Sequence, residues 1–215
     1  MAKEGAILVE KLVVGPTEEN AYLLACPESR KAVFIDPGGD AAHLLRLVQK
    51  LKLEPIAILH THGHADHIGG DQDLKTALGL PILIHPEDAD MLADPEKNLS
   101  AYFDGPLMAP PADGFLKDGD RYEVGSLQLD VIYTPGHTRG GICFKVNRSV
   151  FTGDALFAGS IGRTDFPGGS ERILLKAIRE RLLSLPDETT IYPGHGPSST
   201  IGEERRYNPF LEGLI

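Results

Sequence analysis

The chain has 215 residues, a net charge of −10 with its eight histidines taken as neutral, and a hydrophobic fraction of 41%. This composition allows a buried core and excludes a disordered chain, and no apolar run is long enough for a membrane span. The acidic balance, without a basic run, argues against nucleic acid as the substrate, since phosphate contacts need clustered lysine and arginine.

The first half of the chain predicts strands separated by short helices. Alternating or β-branched apolar residues predict strands over residues 6–14, 20–25, 32–35, 55–59 and 81–84. Apolar residues at helical spacing predict a helix over residues 41–51 with Asp40 as its cap. A shorter helix is expected to begin at Asp71 or Asp73 and to end at Leu78, and another, with proline in its first turn, is expected over residues 86–92. Residues 94–114 lack periodicity, and we interpret them as a flap beside a site or as a joint between two halves.

The second half begins again with strands. The pattern predicts them over residues 121–124, 127–133, 142–146, 149–152 and 191–192. A long amphipathic helix capped by Ser170 is expected to run to about residue 185. Each half thus contains several strands followed by helices. We predict a single domain over residues 1–215, built from two similar halves of about 1–115 and 116–215.

Four metal-binding side chains lie within six residues, directly after the predicted strand 55–59. They are His62, His64, Asp66 and His67. Imidazole nitrogens and carboxylate oxygens suit zinc, iron or manganese, and open α/β sheets place such groups where strands end. A histidine-rich surface loop without metal is the alternative. Because the cluster exceeds the needs of one tetrahedral ion with an open position, it predicts two adjacent metals, which typically activate a water for hydrolysis.

Further candidate ligands also follow predicted strands. His137, Asp154 and His195 each stand next to a glycine that lets the backbone approach closely. Asp36 lies in an Asp-Pro-Gly-Gly turn after the strand 32–35. We expect Asp36 to cap this turn and to support a metal ligand by hydrogen bonding.

The other histidines and the two cysteines are given lesser roles. His43 is expected on the polar side of the first helix, and His85 is expected to be a local hydrogen-bond partner. His60 shares a strand face with the first ligand, so a supporting role is open. Cys26 and Cys143 are interpreted as buried reduced thiols, with a catalytic cysteine as the weaker alternative. Without a signal-peptide pattern at its start, the protein is expected in the cytoplasm, as a monomer or small homo-oligomer.

The motif His62-x-His64-x-Asp66-His67, followed by His137, Asp154 and His195, resembles the ligand set of the metallo-β-lactamase superfamily. The resemblance covers nearly the whole chain. It implies an α/β fold, a four-layer αβ/βα sandwich of two mixed sheets with helices outside. It also implies two divalent metal ions, with zinc favoured over iron or manganese. By this resemblance, His62, His64 and His137 would bind one ion, Asp66, His67 and His195 the other, and Asp154 would bridge them.

Residues 153–157 and 162–166 resemble the glyoxalase II and persulfide dioxygenase branch of that superfamily. Arg163 falls where this branch places a basic residue that contacts glutathione, while Asp165 replaces a tyrosine often found in full-length glyoxalase II. Only twenty residues follow His195, as in the small single-domain glyoxalase II-like proteins. The resemblance implies a hydrolase that cleaves a small-molecule thioester such as S-lactoylglutathione through a metal-bound hydroxide. Asp66 would then orient that hydroxide or accept its proton.

Two other activities compete with this interpretation. A persulfide dioxygenase, which uses one ferrous ion held by two histidines and an aspartate, shares most of these motifs. In that family the last histidine tends to be followed by Asp-Tyr, whereas here Gly196-Pro197 follows, as in the hydrolases. Another hydrolase of the same fold, a lactonase or esterase, is the second alternative. The local sequence therefore favours thioester hydrolysis.

Overall fold

The strands form two six-stranded mixed sheets, each drawn from one continuous part of the chain. The computed structural model describes residues 6–103 and 105–213. The first sheet contains, in order across it, β1 (Leu8–Val14), β2 (Glu19–Ala25), β3 (Lys31–Ile35), β4 (Glu54–Leu59), β5 (Ile82–Ile84) and β6 (Gly114–Phe115). The second contains, in order across it, β7 (Arg121–Val124), β8 (Leu127–Tyr133), β9 (Ile142–Val146), β10 (Ser149–Gly153), β13 (Thr190–Pro193) and β14 (Ser199–Thr200). Between β10 and β13 in sequence, β11 (Leu156–Phe157) and β12 (Ser160–Ile161) form a small antiparallel ribbon.

Strand directions follow the connections. In the first sheet β1, β2 and β3 are antiparallel, whereas β3 to β6 run parallel. In the second, β7 to β10 are antiparallel, β13 runs parallel to β10, and β14 is antiparallel to β13. Parallel neighbours need a crossover segment between them, and helices supply several of these crossovers. The helices are α1 (Ala41–Leu51), α2 (Ala65–Ile68), α3 (Asp71–Leu78), α4 (Glu171–Ala177) and α5 (Ile201–Tyr207).

Both faces of each sheet are buried, so the apolar side chains form three layers. One lies between the two sheets, and each of the other two lies between a sheet and its helices. Successive strand residues point to opposite faces. In β3, for example, Ile35 packs between the two sheets while Phe34 packs with Leu44 of α1. In the second sheet, Phe151 faces the first sheet, and its neighbour Val150 lies with the apolar side chains of α4. The order helix, sheet, sheet, helix confirms the predicted α/β four-layer αβ/βα sandwich.

Several predicted elements differ in detail. The segment predicted as a helix over residues 86–92 is a 3₁₀ helix (Pro86–Met91), and its central Asp88 accepts bonds from a loop of the second sheet. The helix predicted to run to residue 185 changes at its middle into a π-helical turn (Ile178–Leu182). Asp40 and Ser170 occupy the expected cap positions, but neither side chain makes a capping bond. Asp40 has φ 50°, a left-handed conformation.

The sequence patterns missed the shortest elements. Two-residue strands such as β6 and β14 are too short for any periodicity to show. The helix α5 did carry a signal, since Thr200 and Glu203 have the spacing of a capping box, and the Thr200 hydroxyl accepts a bond from the Glu203 N–H at 3.2 Å. Within the described residues, no helix is long and apolar enough to cross a membrane. That residues 1–215 form one domain of two similar halves stays a prediction.

Candidate metal centre

The seven predicted ligands meet where four strands end. His62, His64, Asp66 and His67 follow β4, whereas His137, Asp154 and His195 follow β8, β10 and β13 respectively. The first four therefore come from the first sheet and the other three from the second. The site lies where both sheets present the ends of their strands.

The histidines and Asp66 form two groups. In the first, one nitrogen each of His62, His64 and His137 lies within 4.8 Å of the others, with His64 Nδ1 2.9 Å from His137 Nε2. In the second, single ligand atoms of Asp66, His67 and His195 also lie within 4.8 Å of one another. Each group offers three donors, which leaves room for further ligands around an ion.

Asp154 lies between the two groups. Its Oδ1 is 3.4 Å from His67 Nε2, and its Oδ2 is 3.6 Å from His137 Nε2 and 3.7 Å from His195 Nε2. Burial alone would raise the pKa of this carboxyl, but His67, His137 and His195 together lower it. The side chain is therefore an anion that faces both groups at once.

Most of the histidines have their outer nitrogen engaged by the protein. Nδ1 of His137 donates to the Arg163 carbonyl at 2.7 Å, and Nδ1 of His195 donates to the Thr17 carbonyl at 3.2 Å. Nδ1 of His67 donates to Asp36 at 3.1 Å. An N–H donated outward leaves the lone pair of Nε2 pointing inward, so these bonds set both the tautomer and the ring orientation that a metal ligand needs.

Three inward-facing atoms have no hydrogen-bond partner. They are His62 Nε2, His67 Nε2 and Asp154 Oδ1, all buried. An unsatisfied buried polar atom typically costs about 1–3 kcal/mol. Because imidazole nitrogens and carboxylate oxygens are donors for divalent cations, ions placed here would satisfy the three atoms. The residues present thus fit a pair of divalent metal ions.

The charge states of the histidines agree with this role. Burial and the neighbouring imidazoles lower the pKa of His64 to about 3 and hold that of His62 well below its ordinary value. Both rings are therefore neutral, which is the form that binds metal. Burial opposes a charge on His67, but Asp154 and Asp66 raise its pKa. A metal ion held by His67 would therefore displace a proton.

Asp36 supports the ligand loop from below. Its Oδ1 accepts a bond from the Thr61 N–H at 2.8 Å, and its Oδ2 accepts from the Thr61 hydroxyl at 2.5 Å as well as from His67. The Thr61 hydroxyl lies 3.1 Å from Nδ1 of His62, so a chain of hydrogen bonds links Asp36 to ligands of both groups. The sequence predicted that Asp36 would support a ligand by hydrogen bonding, and the candidate ligand to which it bonds directly is His67.

Beneath Asp36 lies a buried charge pair. His60 Nε2 is 2.8 Å from Asp71 Oδ2, and His60 Nδ1 is 3.5 Å from Asp36 Oδ1. Burial opposes a charge on His60, but Asp71 and Asp36 raise its pKa to about 9. Asp71 begins α3 and appeared in the sequence only as the start of a helix, although its side chain is fully buried.

Two further carboxylates near the ligands are buried, although the sequence did not indicate a role for either. Asp88 accepts bonds at 2.6 Å from the Thr138 hydroxyl and from the Gly140 N–H, which holds the loop that carries His137. Glu19, at the start of β2, places Oε1 3.7 Å from Nδ1 of His67, and burial raises its pKa. Neither position breaks a sequence pattern, so only the three-dimensional packing reveals them.

A glycine is required where Asp154 and His67 meet the last strand. A Cβ added to Gly194 would lie 2.3 Å from Asp154 Oδ1 and 2.7 Å from His67 Cε1. Real Cβ contacts are essentially never that short. The glycine beside His195 therefore admits the backbone of the second sheet to the centre, as the sequence indicated.

An open cavity of about 970 Å³ lies above the ligands, with His64, Asp66 and His195 among the residues of its floor. Part of its wall comes from the segment 94–114, which supports the flap interpretation. Asn98, fully buried, holds this segment: its Nδ2 donates to the Met91 and Leu107 carbonyls at 3.0 Å each. The described residues of this flap thus form a folded loop.

Arg163, the predicted substrate-binding residue, also lines this cavity. Its Nε and Nη2 donate to the two carboxylate oxygens of Asp165 at 2.8 and 2.7 Å. The guanidinium carbon lies 3.8 Å from the centre of the Phe166 ring. The cation that Arg163 presents to the cavity is therefore paired with Asp165 and stacked on Phe166.

The other histidines and the cysteines lie outside the centre. His43 is exposed on α1, and His85 accepts a bond from the Glu87 N–H at 3.3 Å, as expected. Cys26 and Cys143 are buried and free. Burial raises the pKa of Cys143 to about 12, so it stays a thiol rather than a nucleophile.

Comparison with known proteins agrees with this geometry. An uncharacterized protein of Mycobacterium tuberculosis is 44% identical over 91% of this chain and 93% of its own. A probable metallo-hydrolase of Bacillus subtilis, YqgX, is 36% identical over 95% of this chain and 97% of its own. The hydroxyacylglutathione hydrolase GloC of Haemophilus influenzae is 36% identical over 94% and 97% of the two chains.

Solved structures give the same result. The B3 metallo-beta-lactamase BLEG-1 has a TM-score of 0.91 at 37% identity, covering 96% of this chain and 100% of its own. TTHA1623, solved in a di-iron-bound form, has a TM-score of 0.84 at 40% identity, covering 94% and 100%. ETHE1 from Myxococcus xanthus has a TM-score of 0.78 at 31% identity, covering 94% and 83%. Residues 14–195 match the metallo-beta-lactamase superfamily, and the chain belongs to it.

Proposed function

We propose that this metallo-hydrolase of the metallo-beta-lactamase superfamily cleaves a small-molecule thioester such as S-lactoylglutathione. The observation that carries the proposal is Asp154, which faces two groups of three donors on the floor of an open cavity. Two ions held this way typically serve hydrolysis. The similarity to GloC and to the di-iron-bound TTHA1623 supports the choice.

His62, His64 and His137 would hold one ion and Asp66, His67 and His195 the other, with Asp154 between them. Zinc is favoured, and iron or manganese also suits these donors. When bound, divalent ions lower the pKa of a water to about 7 and polarise a carbonyl. We further propose a protein that acts alone or as a small homo-oligomer in the cytoplasm, without nucleic-acid or membrane partners.

Within this site we propose that Asp66 orients the attacking water or accepts its proton. Its carboxylate lines the cavity and lies 3.4 Å from His195 Nε2. Burial would raise its pKa, but His67 and His195 hold it well below its usual range, so the carboxylate is ionised. In hydrolysis, water adds to the acyl carbon, the C–S bond breaks, and the sulfur leaves as a thiolate that takes up a proton. No serine or cysteine nucleophile is needed.

The test is thiol release from S-lactoylglutathione by metal-loaded protein with oxygen excluded. Release that depends on protein and metal would support the hydrolase. The dioxygenase alternative requires oxygen, so consumption of oxygen with glutathione persulfide, together with no anaerobic thiol release, would overturn the proposal.

Arg163→Ala is expected to raise KM for an anionic thioester roughly three- to tenfold, with little change in kcat, because one charge-assisted contact in a solvent-exposed place is lost. Asp165→Asn is expected to lower the same KM, since it frees the guanidinium from its pair. Steady-state kinetics would measure both. Arg121→Ala, which removes an exposed arginine from β7, is the matched control. An unchanged KM in both variants at positions 163 and 165 would remove Arg163 from substrate binding.

A further inference from the structure

The cavity wall above the ligands is mainly apolar. Three parts of the chain supply most of it: the loop between β1 and β2, the flap, and the segment that runs from β11 to Phe166. Its apolar members include Leu99, Phe103, Leu107, Phe157, Ile161 and Phe166. Among the described residues that line the cavity, leaving aside the ligand candidates, Arg163 is the only one with a charged side chain.

That single cation is already occupied. Asp165 pairs with Arg163 through two hydrogen bonds, and Phe166 covers one face of the guanidinium. A glutathione thioester carries two carboxylates and an ammonium group, each of which needs a partner when it leaves water. Among the described residues of the wall outside the ligand candidates, only Arg163 offers a charge, and Asp165 already pairs with it. A thioester with fewer charges than a glutathione thioester therefore loses less hydration on entering this cavity and is the better substrate.

An aromatic pair marks the mouth of the cavity. The rings of Phe103, from the flap, and Phe166 lie 6.4 Å apart at 75°, an edge-to-face contact. Phe103 is 68% exposed, so most of its ring still faces solvent. The buried Asn98 donates to the carbonyls of Met91 and Leu107, which lie on either side of Phe103 in the sequence. An apolar group seated against Phe103 would remove this surface from water, which is favourable.

We propose that the preferred substrate carries an apolar arm, alkyl or aryl, next to the scissile thioester bond and has no more than one negative charge. The inference rests on the proposed thioester hydrolysis and narrows its substrate class. The apolar arm belongs either to the acyl group or to the thiol. Both place the same chemistry against Leu99, Phe103 and Phe166.

Two substrate series separate these sources. The first joins acyl chains of two to eight carbons to 3-mercaptopropionate, and the second joins an acetyl group to alkyl thiols of rising length. In one series kcat/KM should rise about two- to fourfold per methylene, since each buried methylene is worth up to about 0.8 kcal/mol. The kcat/KM of the longest substrate in that series should exceed the kcat/KM of S-lactoylglutathione. Values independent of length in both series, with S-lactoylglutathione cleaved well, would overturn the inference and leave the thioesterase intact.

A pair of neighbouring variants tests the wall itself. Phe103→Ala should flatten the dependence of kcat/KM on chain length, because the ring that the longer chains would cover is removed. Tyr102→Ala is the matched control, because Tyr102 is equally exposed, at 68%, but does not line the cavity. Equal dependence on chain length in both variants and in the unaltered protein would contradict a role for Phe103.

Calorimetry with ligands that cannot be cleaved measures the apolar contact without requiring hydrolysis. S-alkyl thioethers of 3-mercaptopropionate cannot be cleaved as thioesters, and their affinity for metal-loaded protein should increase with chain length. Affinity that rises in this way and weakens in Phe103→Ala would support the apolar arm even if every thioester resisted cleavage. Affinity without dependence on chain length would refute the arm, whatever the enzyme hydrolyses.

Discussion

His62→Ala is expected to remove bound metal and hydrolytic activity together. His62 contributes one of the three nitrogens of the first group, and its buried Nε2 has no other partner. Loss of a supporting residue typically costs 10- to 100-fold in metal affinity or activity, so loss of a ligand itself should cost more than about 100-fold. Elemental analysis of purified protein and thiol release would be measured on the same sample. Asp154→Ala should have the same effect, since Asp154 faces both groups.

The matched control for this prediction is His43→Ala, which removes an exposed histidine on α1. Metal content and turnover should not change in this variant. Circular dichroism would show that His62→Ala is folded, because the substitution also removes a buried imidazole. Full metal content with undiminished turnover in His62→Ala would disprove the assignment of the site.

Asp71→Asn is expected to lower the free energy of unfolding by about 3 kcal/mol, near the lower end for breaking a buried ion pair. The substitution keeps the shape of the side chain but removes the negative charge that faces the buried His60. Because His60 also contacts Asp36, which orients His67, metal affinity should fall roughly tenfold. Chemical denaturation of chelator-treated protein would give the stability, and a competing chelator would give the affinity. Asp73→Asn, an exposed acid in the same helical turn, is the control.

The pair also predicts how stability depends on pH. The pKa of His60 is raised from 6.5 to about 9 in the folded chain. Its contribution is therefore complete below pH 6.5 and disappears as the pH rises through 9, because the folded state binds a proton there that the unfolded state does not. Between these values the stability of the unaltered protein should fall, and Asp71→Asn should reduce that slope. Identical slopes would mean that His60 is not charged.

The sequence was most informative where a residue's chemistry and its local pattern agree. His137, Asp154 and His195 each follow a short apolar strand and stand beside a glycine, so their meeting was predictable from strand ends alone. The four-layer arrangement was expected from the resemblance to the superfamily. The continuous apolar run over residues 32–35 in β3 agrees with it, since such a run is typical of a strand whose two faces are both buried. Strand ends and apolar runs are local properties of the chain.

What the sequence did not reveal depends on distant packing. Asp71 in the first turn of a helix has the pattern of an exposed cap, and only its contact with His60 shows a buried charge. Asp88 lies 50 residues from the Thr138 hydroxyl that it binds. The change of α4 into a π-helical turn is likewise invisible in an unbroken amphipathic pattern. In each case the deciding partner lies on another element, so no window of neighbouring residues contains the information.

The division of the ligands between two sheets has a consequence for the order of folding. During synthesis the first sheet is complete before the second has left the ribosome, yet it carries only four of the seven ligands. The contact between His64 and His137 joins positions 73 residues apart, and His195 follows much later still. Neither group of three donors is complete until the second sheet has packed against the first. An ion bound by either group would connect the two sheets, and at a concentration of 100 times its Kd it would add about 2.7 kcal/mol to the free energy of unfolding.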